Sequence, residues 1–180
     1  MNYVPTLESV RLRLRPLLLT DAADVQLLAG AAEIADTTLH IPHPYPDGLA
    51  ERWISGRPEA AQNGTELTWA VADRASDRLC GAISLSPSQA HQHAELGYWM
   101  GHPFWGRGYM TEAAAAVVAY GFTALNLQRI YAYHFARNPA SGRVMQKIGM
   151  TYEGSMRQHL RKGAHVEDIK IYGILRQEWS

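Results

Sequence analysis

The chain has 180 residues, 47% hydrophobic and 19% charged, which fits one globular domain over residues 1–180 and argues against a disordered chain. Seventeen Lys and Arg residues balance seventeen Asp and Glu residues, so the basic excess of a non-specific nucleic-acid binder is missing. Cys80 is the single cysteine, which precludes an intrachain disulfide and fits a reducing compartment.

Met1-Asn2-Tyr3-Val4-Pro5 opens no apolar signal core, and no window of about 20 apolar residues follows. A cytoplasmic chain without a membrane span is expected. Val10, Leu12 and Leu14 alternate with Arg11, Arg13 and Arg15, which predicts a strand with one buried face. Thr20 and Asp21 offer an N-cap for a helix through Val25, Leu27 and Leu28. His40-Ile41-Pro42-His43-Pro44-Tyr45-Pro46-Asp47 cannot continue a helix, because proline lacks the N–H and clashes with the preceding turn. It reads as a loop, and Asp47 as the cap of a second helix carrying Leu49, Trp53 and Ile54.

Residues 67–72 and 79–84 read as strands joined by the polar turn 73–78. A third strand follows at 94–100, then a long alanine-rich helix from about Tyr109 to Leu125. Residues 128–135 alternate as a strand. Ser141 to Ile148 reads as a short helix ended by Gly149. Two closing strands, 150–157 and 168–175, are joined through Lys162-Gly163. Alternating strand and helix patterns predict a mixed α/β domain.

Residues 94–125 form a strand, a glycine-bearing loop and a helix. Gly106 and Gly108 permit torsions that a side chain forbids, and the helix behind them leaves its first amide N–H groups without intrahelical partners. Those donors and the positive end of the helix dipole favour an anion such as a diphosphate. The amides of 106–110 would supply the bonds and Arg107 additional charge. A dinucleotide fingerprint would need a third glycine in a parallel βαβ unit, and a Walker loop needs Gly-Lys-Ser/Thr; neither is present. A tight turn with glycines for sterics stays open beside the anion reading.

Four blocks, taken together, resemble the GNAT acetyltransferases, in particular the branch containing the ribosomal-protein N-acetyltransferases and spermidine acetyltransferase. They are Ala94-Glu95-Leu96-Gly97-Tyr98-Trp99-Met100; Phe104-Trp105-Gly106-Arg107-Gly108-Tyr109-Met110-Thr111-Glu112-Ala113; Arg137-Asn138-Pro139-Ala140-Ser141 with Lys147-Ile148-Gly149-Met150; and Tyr152-Glu153-Gly154 with Tyr172-Gly173-Ile174-Leu175. The segment Ile41-Pro42-His43-Pro44-Tyr45 resembles that branch as well. The resemblance implies a mixed, mostly antiparallel twisted sheet of six to seven strands, flanked by about four helices and opened by a V-shaped cleft. It implies acetyl-CoA as co-substrate, with the pantetheine arm paired to the backbone of Tyr98, Trp99 and Met100. The pyrophosphate would sit on Trp105, Gly106, Arg107, Gly108, Tyr109 and Met110, with Asn138 and Ser141 on the opposite side. Lys147 or Arg143 would reach the adenosine phosphate, or serve as solvated surface charge.

Three positions depart from that family. Pro103 stands three residues before the first glycine, where Gln or Arg is frequent; the amides still donate, so binding is expected to persist. Met145 replaces the tyrosine that in many relatives protonates the CoA thiolate. In the ribosomal-protein enzymes a serine three residues after the asparagine serves instead, and Ser141 fills that slot. Leu160 stands where those enzymes carry a hairpin glutamate as base.

Acetyl transfer to an amine requires removal of a proton from the ammonium form. Glu95 is the candidate base, with a structural strand carboxylate as the alternative. Ser141 is the candidate acid, with a helix-capping hydroxyl as the alternative. A backbone amide near Met100 would polarise the thioester carbonyl. His91-x-His93 and His40-x-x-His43 match no metal-ligand set, so no metal is expected. His134, His159, Tyr45, Trp99 and Tyr133 are candidates for contact with the acceptor. The acceptor is a protein N-terminal amine or a small amine such as a polyamine or aminoglycoside, and a homodimer is compatible with the sequence. The rival reading is a CoA-binding sensor without turnover.

Overall fold

The computed structural model describes residues 4–179; Met1-Asn2-Tyr3 of the opening segment read above, and Ser180, lie outside the described residues. The strands are β1 Leu7–Glu8, β2 Leu12–Pro16, β3 Leu67–Asp73, β4 Leu79–Ser88, β5 His93–Met100, β6 Arg129–Phe135, β7 Thr151–Lys162 and β8 His165–Leu175. The helices are α1 Ala22–Ala29, α2 Ala32–Thr37, α3 Leu49–Ser55, α4 Arg57–Gln62, α5 Tyr109–Thr123 and α6 Pro139–Lys147. Among the described residues the strands form one eight-stranded sheet in the order β1-β2-β3-β4-β5-β6-β8-β7.

The expected architecture is present, with one strand and two helices more than the sequence suggested. β1 has two residues, too few to show a pattern, and α2 and α4 have six each. The strand expected from Val10 onward is β2, which begins at Leu12, and Val10 lies outside it at 85% exposure. α3 starts behind Gly48, whose positive φ of 74° turns the chain into the helix, and no Asp47 side-chain cap forms.

Two apolar layers cover the sheet. On one face α5 buries Ala113, Ala114, Val117, Val118 and Phe122 against strand residues that include Leu14, Trp69, Leu96 and Ile130. Full burial of a side chain such as Phe122 contributes about 1.5–3 kcal/mol. On the other face α1 and α3 pack Val25, Ala29, Ala50 and Ile54 over Ala70 and Leu79.

Below α1 the Arg15 guanidinium forks onto both Asp21 oxygens at 2.8 Å, and Asp21 also accepts from the Leu18 N–H at 2.8 Å. Burial pushes the Asp21 carboxyl up, but the Arg15 fork and the Leu18 N–H outweigh it and hold it below its usual range. Asp21→Asn leaves the Arg15 charge buried without its main partner, and we expect it to lower unfolding stability by about 3 kcal/mol. The depressed carboxyl pKa means this stability is present at neutral pH and fades as pH falls through and below the ordinary carboxylate range. Urea titrations of both proteins at neutral and acidic pH test this, since the difference should shrink on acidification.

β5 and β6 set up the site. They are the only parallel neighbours among the described strands, and they pair just at His93–Arg129, Ala94–Ile130 and Glu95–Tyr131. Beyond Glu95 they separate: β6 continues against β8 and β5 against β4, which opens a V toward the C-terminal ends of both strands.

Candidate active site

The separation leaves backbone groups of β5 unpaired on its β6 side. The Gly101 N–H donates to the Cys80 carbonyl at 2.8 Å, so Gly81–Met100 is a non-hydrogen-bonded pair of the antiparallel ladder. By alternation Ile83–Tyr98 is another. Tyr98 and Met100 therefore turn their N–H and C=O groups into the opening, whereas those of Trp99 belong to the ladder with Ala82. Of the three backbone positions expected to meet the pantetheine arm, two face the opening, and Trp99 turns its side chain to the chamber on the other face. The Met100 carbonyl already accepts the Trp105 indole N–H at 2.5 Å.

Gly106 and Gly108 hold φ values of 74° and 76°. A Cβ at Gly106 would meet nothing within 4 Å, so torsion rather than space requires glycine there. Gly108 is the N-cap of α5, without a side-chain cap, and the first bond into the helix runs from the Glu112 N–H to the Gly108 carbonyl at 3.1 Å. The amides of 109–111 are thus left as donors at the positive helix end.

The loop has a brace that the alternating arginines did not reveal. Arg11 donates to the Arg107 carbonyl at 2.9 Å and to Glu112 at 2.7 Å, and lies over the Tyr109 ring at 4.8 Å. Ser9 and the Arg11 backbone N–H bind the same carboxylate at 2.8 Å. An acid that would repel a phosphate is thereby paired and drawn aside.

α6 forms the facing wall. Asn138 caps it, its side-chain oxygen accepting the Ser141 N–H at 3.4 Å. Ser141 is not a capping hydroxyl: its Oγ lies 2.8 Å from the Tyr98 phenol, which is also 3.0 Å from the Ser141 carbonyl. Tyr98 thus spans the V, and burial pushes its phenol above the ordinary tyrosine range. His134 sits behind this contact. Its Nδ1 meets the Phe135 carbonyl at 2.8 Å, and Nε2 has no hydrogen-bond partner among the described residues. Because a carbonyl only accepts, Nδ1 carries the proton. Burial lowers the His134 pKa and favours the neutral ring.

On the other side of the sheet Glu95 occupies the apex of the V. Tyr131 donates to it at 3.3 Å, and the Tyr133 phenol is a second neighbour. Burial raises its carboxyl pKa despite these phenols and nearby His40. The chamber roof is α2 with the loop behind it, clasped to the β7–β8 hairpin. Arg137 binds Glu167 at 2.9 Å and Asp36 at 2.7 Å, and Lys162 donates to the carbonyls of Ala35, Thr38 and Ile41.

One cleft of about 740 Å³ joins these parts. Glu95, Tyr98, Trp99, Met100, Trp105, Gly106, Gly108, Tyr109, Met110, Asn138 and Ser141 all line it, as do Arg143, Lys147, Tyr45, Tyr133 and His134. Arg107 is not among the lining residues; its guanidinium lies over the Phe104 ring at 5.8 Å. His159 and Leu160 are also outside the lining. Leu160 pairs across the hairpin with Glu167, the carboxylate held by Arg137. Thr68 and Ser84 join the chamber floor, though nothing in their strand pattern marked them. His43 Nδ1 is engaged by the Gly30 carbonyl at 3.0 Å, and no group of three or more potential metal ligands occurs among the described residues. No described helix is long and apolar enough to cross a membrane.

Comparison with known proteins agrees with this geometry. The family described as an acetyltransferase (GNAT) domain matches residues 11–151. The chain is 35% identical over 111 residues to the uncharacterized N-acetyltransferase YoaA of Bacillus subtilis, covering 61% of this chain and 63% of that one. It is 25% identical over 140 residues to the [Ribosomal protein uS5]-alanine N-acetyltransferase of Escherichia coli, covering 77% and 72%. Among solved structures, the RimL alpha-N-protein acetyltransferase in complex with coenzyme A superposes with a TM-score of 0.87 at 18% identity, covering 95% of this chain and 98% of that one. The match to YoaA thus spans under two thirds of that relative's length.

Proposed function

The chain belongs to the GNAT acetyltransferase family, and from that premise we propose that it moves an acetyl group from acetyl-CoA to a primary amine carrying a single positive charge. The residues fit the donor. Free N–H groups of Tyr98 and Met100 suit the amide-bearing pantetheine arm, and the amides of 109–111 suit its pyrophosphate. That RimL is solved in complex with coenzyme A supports this donor, and the similarity to the uS5-alanine enzyme supports an α-amine acceptor.

The amine attacks the thioester carbonyl, a C–N bond forms and the C–S bond breaks. The ammonium proton leaves to Glu95, directly or through water; Ser141 gives its hydroxyl proton to the departing sulfur and is restored by the second proton that the nitrogen sheds as the amide forms. Of the two N–H groups aimed into the opening, that of Tyr98, the residue in contact with Ser141, is the donor for the developing oxyanion, and that of Met100, nearer the Gly106–Gly108 loop, is left to the arm.

The observation that carries the charge assignment is the state of the lining carboxylates. Among the described residues, Glu66 and Glu95 are the carboxylates that line the cleft, and Glu66 is paired with Arg57 at 2.5 Å. Asp36 is held by Arg137. One unpaired carboxylate matches one ammonium, as on a peptide N-terminus or a simple alkylamine, and leaves the further charges of a polyamine or aminoglycoside unmatched. Thiol release from acetyl-CoA tests this with peptides, alkylamines, spermidine and an aminoglycoside at equal concentration. The single-charge amines are expected to turn over fastest. Preferred turnover of spermidine would refute the charge argument, and coenzyme A binding without release on any amine would make the chain a sensor.

A further inference from the structure

The floor of the acceptor chamber carries a polar group that neither the fold nor the acetyl-transfer scheme uses. Thr68 on β3 is 4% exposed, its Oγ1 has no hydrogen-bond partner among the described residues, and it lines the cleft. A buried hydroxyl left unpaired destabilises a fold, and valine would fill the same space on a strand without that penalty. Its pairing partners extend the feature. Thr68 lies opposite Ser84 on β4, and Ser84 opposite Gly97 on β5.

A Cβ at Gly97 would come within 3.3 Å of the Ser84 Oγ, so glycine leaves that hydroxyl uncovered. This row crosses the sheet from β5, which borders the V, through β4 to β3. Glu95 lies beside it on the same face, since residues two apart on a strand share a face. Ala70, Ala82 and Trp99 form the next row along, and it is apolar.

Resting on the acetyltransferase reading, we propose that Thr68, assisted by Ser84, recognises a neutral hydrogen-bonding group of the acceptor, a hydroxyl or an amide, while the amine sits at the Glu95–Gly97 end. The spacing sets the separation of the two groups. Adjacent strands lie ~4.8 Å apart, so Ser84 and Thr68 are roughly 5 and 10 Å from Gly97 across the sheet. The acceptor is therefore an extended amine with a polar group several bonds away. A peptide N-terminus with its amides and an amino alcohol share this chemistry, whereas a plain alkylamine does not.

The test compares aminohexanol with heptylamine, two single-charge amines of similar length, and adds a short peptide with a free α-amine. In Thr68→Val the KM for aminohexanol should rise about tenfold, the value of one hydrogen bond. The KM values for heptylamine and acetyl-CoA should stay level, and the melting temperature should hold or rise. Ser84→Ala should give the same pattern more weakly. Equal KM changes for aminohexanol and heptylamine, or none, would overturn the proposal.

The peptide arm separates the two sources: a KM rise for the peptide as well assigns the site to amides, and a rise for aminohexanol alone assigns it to hydroxyls. If wild type acetylates none of these amines, the proposed function fails on its own account. The Thr68 proposal is then read from thermal shifts of the coenzyme A-bound protein. An aminohexanol shift that disappears in Thr68→Val supports it, and no shift in wild type refutes it.

Discussion

Glu95→Gln is expected to lower kcat/KM for the amine by about 10²–10⁴-fold, the usual contribution of a positioned general base. Glutamine keeps the shape of the side chain and can still accept from Tyr131, which lies 3.3 Å from the carboxylate, so folding and acetyl-CoA affinity should change little. The pH profile carries the sharper test. Burial raises the Glu95 pKa, and only the ionised form removes a proton. Wild-type activity should therefore fall on the acid side at a pH above the ordinary glutamate range and level off once Glu95 is ionised. In the glutamine variant the rate should keep climbing with the free-amine fraction, because the amine must then lose its proton to solvent. Identical profiles in the two proteins would leave Glu95 a structural strand carboxylate.

Ser141→Ala is expected to slow turnover by about 10²-fold, comparable to loss of one preorganised donor to developing negative charge, with the KM for acetyl-CoA little changed. The Tyr98 contact makes the assignment more specific. A phenol has one proton, and two acceptors of Ser141 lie within 3.0 Å of it. When Tyr98 donates to Oγ, the single Ser141 proton is left for the sulfur. When it donates to the carbonyl, the Ser141 proton can return to the phenol oxygen.

Tyr98 is thus a positioning residue, and Tyr98→Phe should cost about tenfold in kcat. Because it acts through Ser141, the double variant should be no slower than Ser141→Ala alone. Additive losses, with both single variants folded by thermal melts, would make the two contributions independent. Unchanged turnover of Ser141→Ala with chemistry rate-limiting would remove the serine from the reaction.

The parts of this site that are local in sequence were legible from it. Gly106, Gly108 and the helix behind them announce unpaired amides at one helix end, whatever the rest of the fold does. Residues 94–100 alternate clearly enough to place Glu95 and Trp99 on one face and Tyr98 on the other. Pairings between distant segments were not legible. Arg11 looked like one of three solvent-facing arginines, yet it braces the Arg107 carbonyl 96 positions away. Alternation places Tyr98 on a face but does not say that Ser141, 43 positions on, meets it there.

Nothing local to Asp36 shows that Arg137, 101 positions away, neutralises it. Thr68 sits in an apolar strand where threonine and valine are interchangeable by pattern, so its missing partner is visible only in three dimensions. Short elements escaped for another reason. α2 and α4 span under two turns each, less than the window over which a helical period can be counted.

The placement of the donor in the gap between β5 and β6 underlies every role assigned here, and a crystal structure with coenzyme A tests it most directly. The arm should run between Tyr98 and Asn138, with its amides bonded to the backbone of Tyr98 and Met100. The pyrophosphate should lie on the amides of 109–111 and the sulfur within reach of Ser141 Oγ. Coenzyme A bound outside the V, or with its pyrophosphate away from the Gly106–Gly108 loop, would contradict the account.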